Sequence, residues 1–456
     1  NDPIVEYKED GYQVTFSWEA IEEGDSYTVY FGKQFESMAA QTATTENSLI
    51  ISDLELGQYQ WQLKRTNALS QSVTSEALSI SAGVFKLQLG GSGDDYGKQI
   101  IASQDGGSII LASTKSKGDS QGDDWFIKLD ANGNIEWEYV LNKSGGARLN
   151  DLIEFSDGSI YAIGSNGDWN DQMGYGIKLS GEATPASRLI WENEYRNVDA
   201  EKEYFSSLTG LNNKLYIAGG ERTCTSTTCP TTSFKLYELD VASGDFVSET
   251  TIPHPTGALI DGVGHLSATA NGNLLLACSV IADNGELSFG AAGIINFDIS
   301  GHLNWSWQSV GTFTIANGRF ATETPSGQFA LTGQKHPMGG GDLPIAIFSS
   351  NGSLQGIYTA PGGSTDQRET ITFDDDGNIL RLMLGRDSDY PELITTTPNG
   401  STEFIKVFRE LKYDQSYPVS LTKSKDSGLL TLFSETQSGY NNKDIVLMKT
   451  DMQGNM

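Results

Sequence analysis

A turn followed by an apolar strand recurs at regular intervals along most of this chain, and that recurrence limits the folds open to it. The copies read "DGGSIILAS" from 105, "DGSIYAIGS" from 157, "NNKLYIAGG" from 212, "NGNLLLACS" from 271, "SGQFALTGQ" from 326, "DGNILRLML" from 376 and "DSGLLTLFS" from 426. Taking Gly107, Gly158, Asn213, Gly272, Gly327, Gly377 and Ser427 as equivalent, the spacings are 51, 55, 59, 55, 50 and 50 residues. Seven units of this length, each too small to bury its own apolar face, must stack on one another.

A second landmark follows the first in each unit: a strand, a tight turn and another strand, as in "DWFIKLDANGNIEWEYVL" and "AAGIINFDISGHLNWSWQSV". Asn-Gly and Ser-Gly pairs supply the positive φ angles that tight hairpins need. Each unit therefore holds about four antiparallel strands, which predicts a seven-bladed β-propeller. The last copy ends at "DIVLMKTDMQGNM" without a fourth strand, whereas "GVFKLQL" at 83–89 is a strand without a unit. Pairing these two segments closes the ring and removes an open sheet edge. Burying Phe85, Leu87 and Leu89 contributes about 5–9 kcal/mol, against about 5 kcal/mol for closing so long a loop.

At 456 residues the chain exceeds what one core usually serves. Residues 1–82 read as a separate all-β domain, and residues 83–456 as the propeller. The segments "YQVTFSW", "SYTVYFG", "NSLIISDL" and "GQYQWQLKRTN" alternate with period two, so Val14, Phe16 and Trp18 share one face, as do Tyr59, Trp61 and Leu63. With Trp18 early and Tyr59 after a Leu-x-x-Gly turn, this part resembles the fibronectin type III family, which implies a β-sandwich acting as spacer or adhesion module.

Thirty basic residues against 59 acidic ones give a net charge of −29, a field that repels nucleic acid and anionic lipid. Partners should be neutral, cationic or bridged by a divalent metal. No apolar run is long enough to span a membrane as a helix. The opening "NDPIVEYKED" lacks the basic and apolar regions of a signal peptide, so it reads as a mature N-terminus or a cytosolic start. Cys224 and Cys229, five apart in "ERTCTSTTCPTTS", suit a small disulfide loop and an oxidising compartment; zinc is the rival reading but lacks a second ligand pair. Cys278 in "LLLACSV" reads as a buried thiol.

The stretch "GGSGDDYGKQ" at 90–99 is the most tempting motif. A nucleotide loop requires Gly at position 92 and Ser or Thr after Lys98, and the chain has Ser92 and Gln99 instead. Asp94 and Asp95 would repel a phosphate. Calcium at Asp94 and Asp95 stays open, although none of the acidic segments has the spacing of an EF-hand loop. No Gly-x-Ser-x-Gly elbow occurs, and His254, His265, His302 and His336 have no recurring acid or nucleophile partner, so each reads as a loop or packed histidine. "SQDGGSI" is similar to the Asp-box of sialidases but precedes the second strand of its unit, whereas that motif belongs between the third and fourth. Carboxylates paired from different blades are invisible to this reading, so a glycoside hydrolase or lyase stays open.

The loops between second and third strands vary most and form one acidic face carrying aromatics. Variable loops on a rigid scaffold are where binding sits. Asp94, Asp95, Asp124, Trp169, Tyr390 and Tyr440 are the candidate partner or ligand residues. Trp125 belongs to the same face, with packing between blades as its other reading.

The string "LGGSGDDYGKQIIASQDGGSIILAS" with "GDDWFIKLDANGNIEWEYVL" resembles a repeat of extracellular Gram-negative bacterial propellers. With its sandwich-like start the chain is similar to outer-membrane surface lipoproteins. That resemblance implies a cell-surface location and a lipid anchor on a cysteine just before Asn1, with secretion as the alternative; no cofactor is expected, calcium at Asp94 and Asp95 staying open. The expected function is a non-enzymatic scaffold, its propeller docking onto an outer-membrane transport or assembly complex. A glycan- or peptide-binding lipoprotein for nutrient capture is the alternative, and a glycoside-processing enzyme the third reading.

Overall fold

A computed structural model describes residues 3–8, 11–118, 122–142, 147–167, 172–196, 202–222, 231–255, 258–282, 291–309, 315–334, 343–360, 370–384, 390–411, 416–436 and 442–456. Among these the protein is all-β, without a helix.

The N-terminal part is built from two sheets. One orders Ile4–Lys8, Gly11–Ser17 and Ser48–Leu54; the other holds Ser26–Lys33, Gly57–Thr66 and three shorter strands, the last of them Leu78–Ala82. The alternation read from the sequence meets between the sheets, where Val14, Phe16, Trp18, Val29, Phe31, Tyr59 and Trp61 are buried together. Tyr59 also donates its hydroxyl to the Glu55 carbonyl at 2.9 Å, tying the strand to the turn before it.

From Asp95 onward the chain forms consecutive four-stranded antiparallel meanders. The first orders Asp95–Ala102, Ser108–Thr114, Asp123–Leu129 and Ile135–Leu141. Later sheets begin with Arg148–Glu154, Lys202–Leu211, Ala258–Ala268, Ala316–Glu323, Ile371–Phe373 and Ser416–Lys423. The fourth and fifth are joined by one bridging pair, Ala291 with Ala316. The last sheet takes its fourth strand from the other end of the chain: Phe85–Leu89 pairs with Lys443–Thr450, Leu89 opposite Ile445 and Leu87 opposite Leu447.

The turn that defines the repeat recurs in detail. Gly158, Gly272, Gly327, Gly377 and Ser427 each donate a backbone N–H to the residue three before them, with φ between +59° and +82°. In the first unit Gly106 does this, so the equivalence drawn with Gly107 shifts by one residue.

The apolar core is a series of wedges, each between consecutive sheets. Ile109, Trp137, Leu152 and Tyr175 fill the one between first and second sheets; Ile110, Trp125, Leu430 and Leu447 fill the one between last and first. First strands of neighbouring sheets lie against each other from the first sheet to the fifth, that of the sixth lies against that of the last, and the first strand of the last sheet lies against Asp95–Ala102. The outer edges interlock too: a Cβ on Gly244, in the third sheet's last hairpin (φ +74°), would lie 2.7 Å from the indole ring of Trp191 in the second. Arg188, on a longer hairpin of the second sheet, covers Trp137 of the first, its guanidinium 3.9 Å from the ring centroid.

The N-terminal part is fastened to this array by a buried polar knot. Lys449, 1% exposed, donates to the Asp426 carboxylate at 2.6 Å, the Tyr12 hydroxyl at 3.0 Å and the Ala131 carbonyl at 2.9 Å. Tyr12 in turn donates toward Asp426 at 2.6 Å. Burial holds the Lys449 ammonium below the ordinary lysine range, opposed by Asp426.

Two outcomes test these contacts. Gly244→Ala meets both the left-handed backbone and Trp191, whereas Gly272→Ala (φ +82°) meets only the backbone; urea unfolding should show the first variant losing at least about 1 kcal/mol more than the second. Lys449→Met leaves Asp426 buried without its cation and should cost about 3–5 kcal/mol, with much of the loss recovered when Asp426→Asn is added.

Candidate functional site

The first strands do more than line up. Four of them are interrupted by one bulged residue, between Gly97 and Gln99, Leu149 and Asp151, Phe205 and Ser207, and Pro418 and Ser420. The fourth and fifth sheets go further. Ala258–Ala268 breaks register between Ile260 and Gly262 and again between Val263 and Leu266. Ala316–Glu323 breaks between Ala316 and Phe320, where Asn317 takes φ +49°. Bulges re-aim side chains, and a non-glycine residue held in the left-handed region marks backbone fixed by its surroundings.

These irregular strands enclose a cavity of about 350 Å³, lined from the first strands of five sheets, by Ser279 on the second strand of the fourth, and by Thr370 beside the first strand of a sixth. Lys98, Gln99 and Asp151 come from the first two, His265 from the second bulge of the fourth, and Arg319 with Phe320 from the fifth. His265 stacks on Phe320 with centroids 3.9 Å apart and planes 18° from parallel. Its Nδ1 lies 3.1 Å from the Ala321 carbonyl, an oxygen that can only accept, so Nδ1 carries the proton. Asp151 is 1% exposed and accepts from the backbone N–H of Leu152 and Leu208 and from the Ser207 hydroxyl. Its charge is thereby held by the wall. Lys98 bonds the Asp124 carboxylate and the Leu149 carbonyl, joining first and second sheets beside the cavity.

A larger cavity, about 690 Å³, lies between the N-terminal part and the sheets. Its acidic residues are largely engaged within the protein: Glu55 with Lys33, Asp375 with Lys423, Asp426 with Lys449, and Asp374 and Asp451 capping hairpins.

The candidates read from the sequence fall elsewhere. Asp95 is wholly buried, and one of its oxygens accepts from Gly91 N and Ser116 Oγ at 2.9 and 2.6 Å. Asp124 is 3% exposed and, besides Lys98, accepts from Leu149 N at 2.7 Å. Both are buried and hold strand ends together inside the protein. Asp94 stays half-exposed, near Lys115 Nζ (3.4 Å) and accepting from Lys443 N (3.2 Å). Among the described residues no group of three or more His, Cys, Asp or Glu is placed to hold a metal ion. Tyr390 is half-buried at the edge of the sixth sheet's third strand, and Trp125 packs between first and last sheets. Trp169, Tyr440, Cys224 and Cys229 lie outside the described residues. Cys278 is buried, which pushes its thiol well above the ordinary range.

The sequence reading passed over Arg319 and Phe320 and took His265 as a loop or packed residue. "GVGH" and "ANGR" carry the trace: Gly or Asn inside a strand marks a bulge. From the motif at 90–99 it is Lys98 and Gln99, not the aspartates, that reach the cavity.

No family model and no curated protein matches the sequence. Solved structures do. The polysaccharide lyase Uly1 is similar over 78% of this chain and 90% of its own, at 9% identity and TM-score 0.52, a likeness of fold. A Trypanosoma rangeli sialidase bound to sialic acid matches over 72% of this chain and 57% of its own (14% identity, TM-score 0.43). A protein of unknown function from Bacteroides caccae matches over 74% and 94% (9% identity, TM-score 0.38).

Burial raises the Asp124 carboxyl above its ordinary range, with Lys98 opposing the rise. Because the folded value exceeds the unfolded one, the penalty for the buried charge is absent below about pH 3.9 and grows as pH rises through the folded value. Lys98→Met removes the opposing charge. Urea unfolding should show a loss of about 3–5 kcal/mol at pH 7 and a clearly smaller loss at pH 4, where Asp124 takes up a proton.

Proposed function

We propose that the sheets form a seven-bladed β-propeller closed by Phe85–Leu89, with a fibronectin type III-like base, and that the protein is a non-enzymatic saccharide-binding protein of a bacterial cell surface. The cavity between the first strands is then the axial ligand site. One observation carries this reading: the cavity sits where the strands depart most from regularity, and it combines hydrogen-bonding side chains with the His265–Phe320 stack. Concave sites with a few convergent polar groups are the usual seats of small ligands. The cavity's carboxylate, Asp151, is turned to backbone donors, which favours holding a ligand over acid–base attack on it. The lyase of similar fold acts on polysaccharide, in keeping with a sugar as the ligand class.

A second reading, a docking platform for an outer-membrane complex, is favoured by apolar side chains on the N-terminal part: Phe35 is 94% exposed, Leu69 80% and Val73 73%. These are separate surfaces, so the readings separate in experiment. Thermal unfolding against a panel of oligosaccharides should show stabilisation by some members, about 2.7 kcal/mol at a hundredfold excess over Kd, with no product released. Product release would make the protein an enzyme. A stoichiometric complex purified from membranes, with no response to any saccharide, would favour the platform.

A further inference from the structure

Resting on the saccharide reading, we infer that the cavity between the first strands takes an uncharged sugar, its pyranose laid against the His265–Phe320 pair and one of its oxygens receiving an amide N–H of Gln99. A pattern of bonds between sheets is the first reason. In five sheets one side chain on or beside the first strand accepts a backbone N–H from the next sheet: Gln99 from Leu152 at 2.9 Å, Asp151 from Leu208 at 3.1 Å, Ser207 from Leu266 at 3.0 Å, Thr370 from Leu421 at 2.8 Å and Ser420 from Ile100 at 3.4 Å. His265 and Phe320 hold the matching position in the fourth and fifth sheets, one residue before Leu266 and Ala321. His265 turns its Nδ1 to the Ala321 carbonyl instead, and Phe320 has no oxygen or nitrogen to offer, so here the sheet-to-sheet staple gives way to two stacked rings. Both rings stay half-buried on the cavity wall. The places where the joining pattern changes are those that give the cavity its aromatic surface.

Charge is the second reason. Lys98 is bonded to the Asp124 carboxylate and the Leu149 carbonyl, Arg319 has a partner within the protein, and Asp151 accepts from three donors of its own wall. An anionic ligand would have to draw Lys98 from Asp124 and leave a buried carboxylate without its cation. It would also approach against a net charge of −29. A cationic ligand meets, in Asp151, a carboxylate whose oxygens are already filled. What the wall offers is neutral. Leu152 N–H donates to Gln99 Oε1, which fixes that amide and leaves its NH2 end, with two donors, at the cavity. The stacked rings add a face of negative π charge, against which the slightly positive C–H face of a pyranose lies well. The volume, about 350 Å³, lies near the lower end of the roughly 300–1,000 Å³ of small-ligand sites, so it admits a short saccharide rather than a threaded polymer.

Calorimetric titration of the full chain with cellobiose, maltose, lactose and mannobiose, set against digalacturonate and the glucosamine disaccharide, tests this. At least one neutral disaccharide should bind about tenfold or more tightly than either charged one. Gln99→Glu keeps an oxygen for Leu152 N–H and removes the amide donor; Phe320→Leu keeps an apolar side chain and removes the aromatic face. Each should lower the affinity for that neutral sugar about tenfold or more while unfolding stays cooperative. A charged disaccharide that binds the unaltered protein as tightly as the neutral ones would overturn the inference while leaving saccharide binding standing, and needs no variant to fold. Neutral-sugar affinity unchanged in either folded variant would overturn the placement at Gln99 and Phe320. Binding of no saccharide at all would remove the reading on which the inference rests.

Discussion

The pairing of Phe85–Leu89 with Lys443–Thr450 is the constraint on which the rest of the structure depends. Each wedge of core needs a sheet on both sides, and the wedge holding Trp125, Leu430 and Leu447 lies between the first sheet and the last. Without a strand drawn from the start of the chain, the last sheet would end on an open edge and that wedge would lose Leu89 and its neighbours. The first strands could then spread, and the cavity they enclose depends on their staying close. Pairing of the chain's two ends, core packing and the cavity are therefore one problem solved once.

Most of the architecture was legible because its physical cause repeats. A left-handed residue is needed at the same place in every unit, so Gly158, Gly272, Gly327 and Gly377 stand at near-regular spacing, and Asn213 and Ser427 fill the same role with φ +59°. The missing fourth strand and the spare strand at 83–89 were legible as a deficit and a surplus. What a repeat hides is its exceptions. The second bulge before Leu266 and the bulge before Phe320 change neither the length nor the apolar pattern of the units enough to stand out. The cavity, which depends on them, was not legible.

Acidic residues misled for a related reason. In a chain so rich in Asp and Glu, each aspartate in a loop reads as solvated or ligand-bearing. Asp95 and Asp124 instead accept backbone N–H groups where strands begin, work that a neutral side chain does less strongly. The hairpin aspartates act alike: Asp130 accepts from Asn132 N and Asn134 N, and Asp298 from Ser300 N and His302 N. Part of the protein's negative charge is thus the by-product of a turn used many times over.

The knot of Tyr12, Asp426 and Lys449 has a mechanical side. The N-terminal part is joined to the sheets by the short backbone link at 83–84, which runs straight into the strand Phe85–Leu89. A pull on the N-terminal part through that link alone would peel Phe85–Leu89 from its neighbour one hydrogen bond at a time. Tyr12 grips Asp426 and Lys449, both in the last sheet, so it offers the load a parallel path that bypasses the strand. The buried ion pair thereby works as a strain relief, as a clamp on a cable spares the soldered joint.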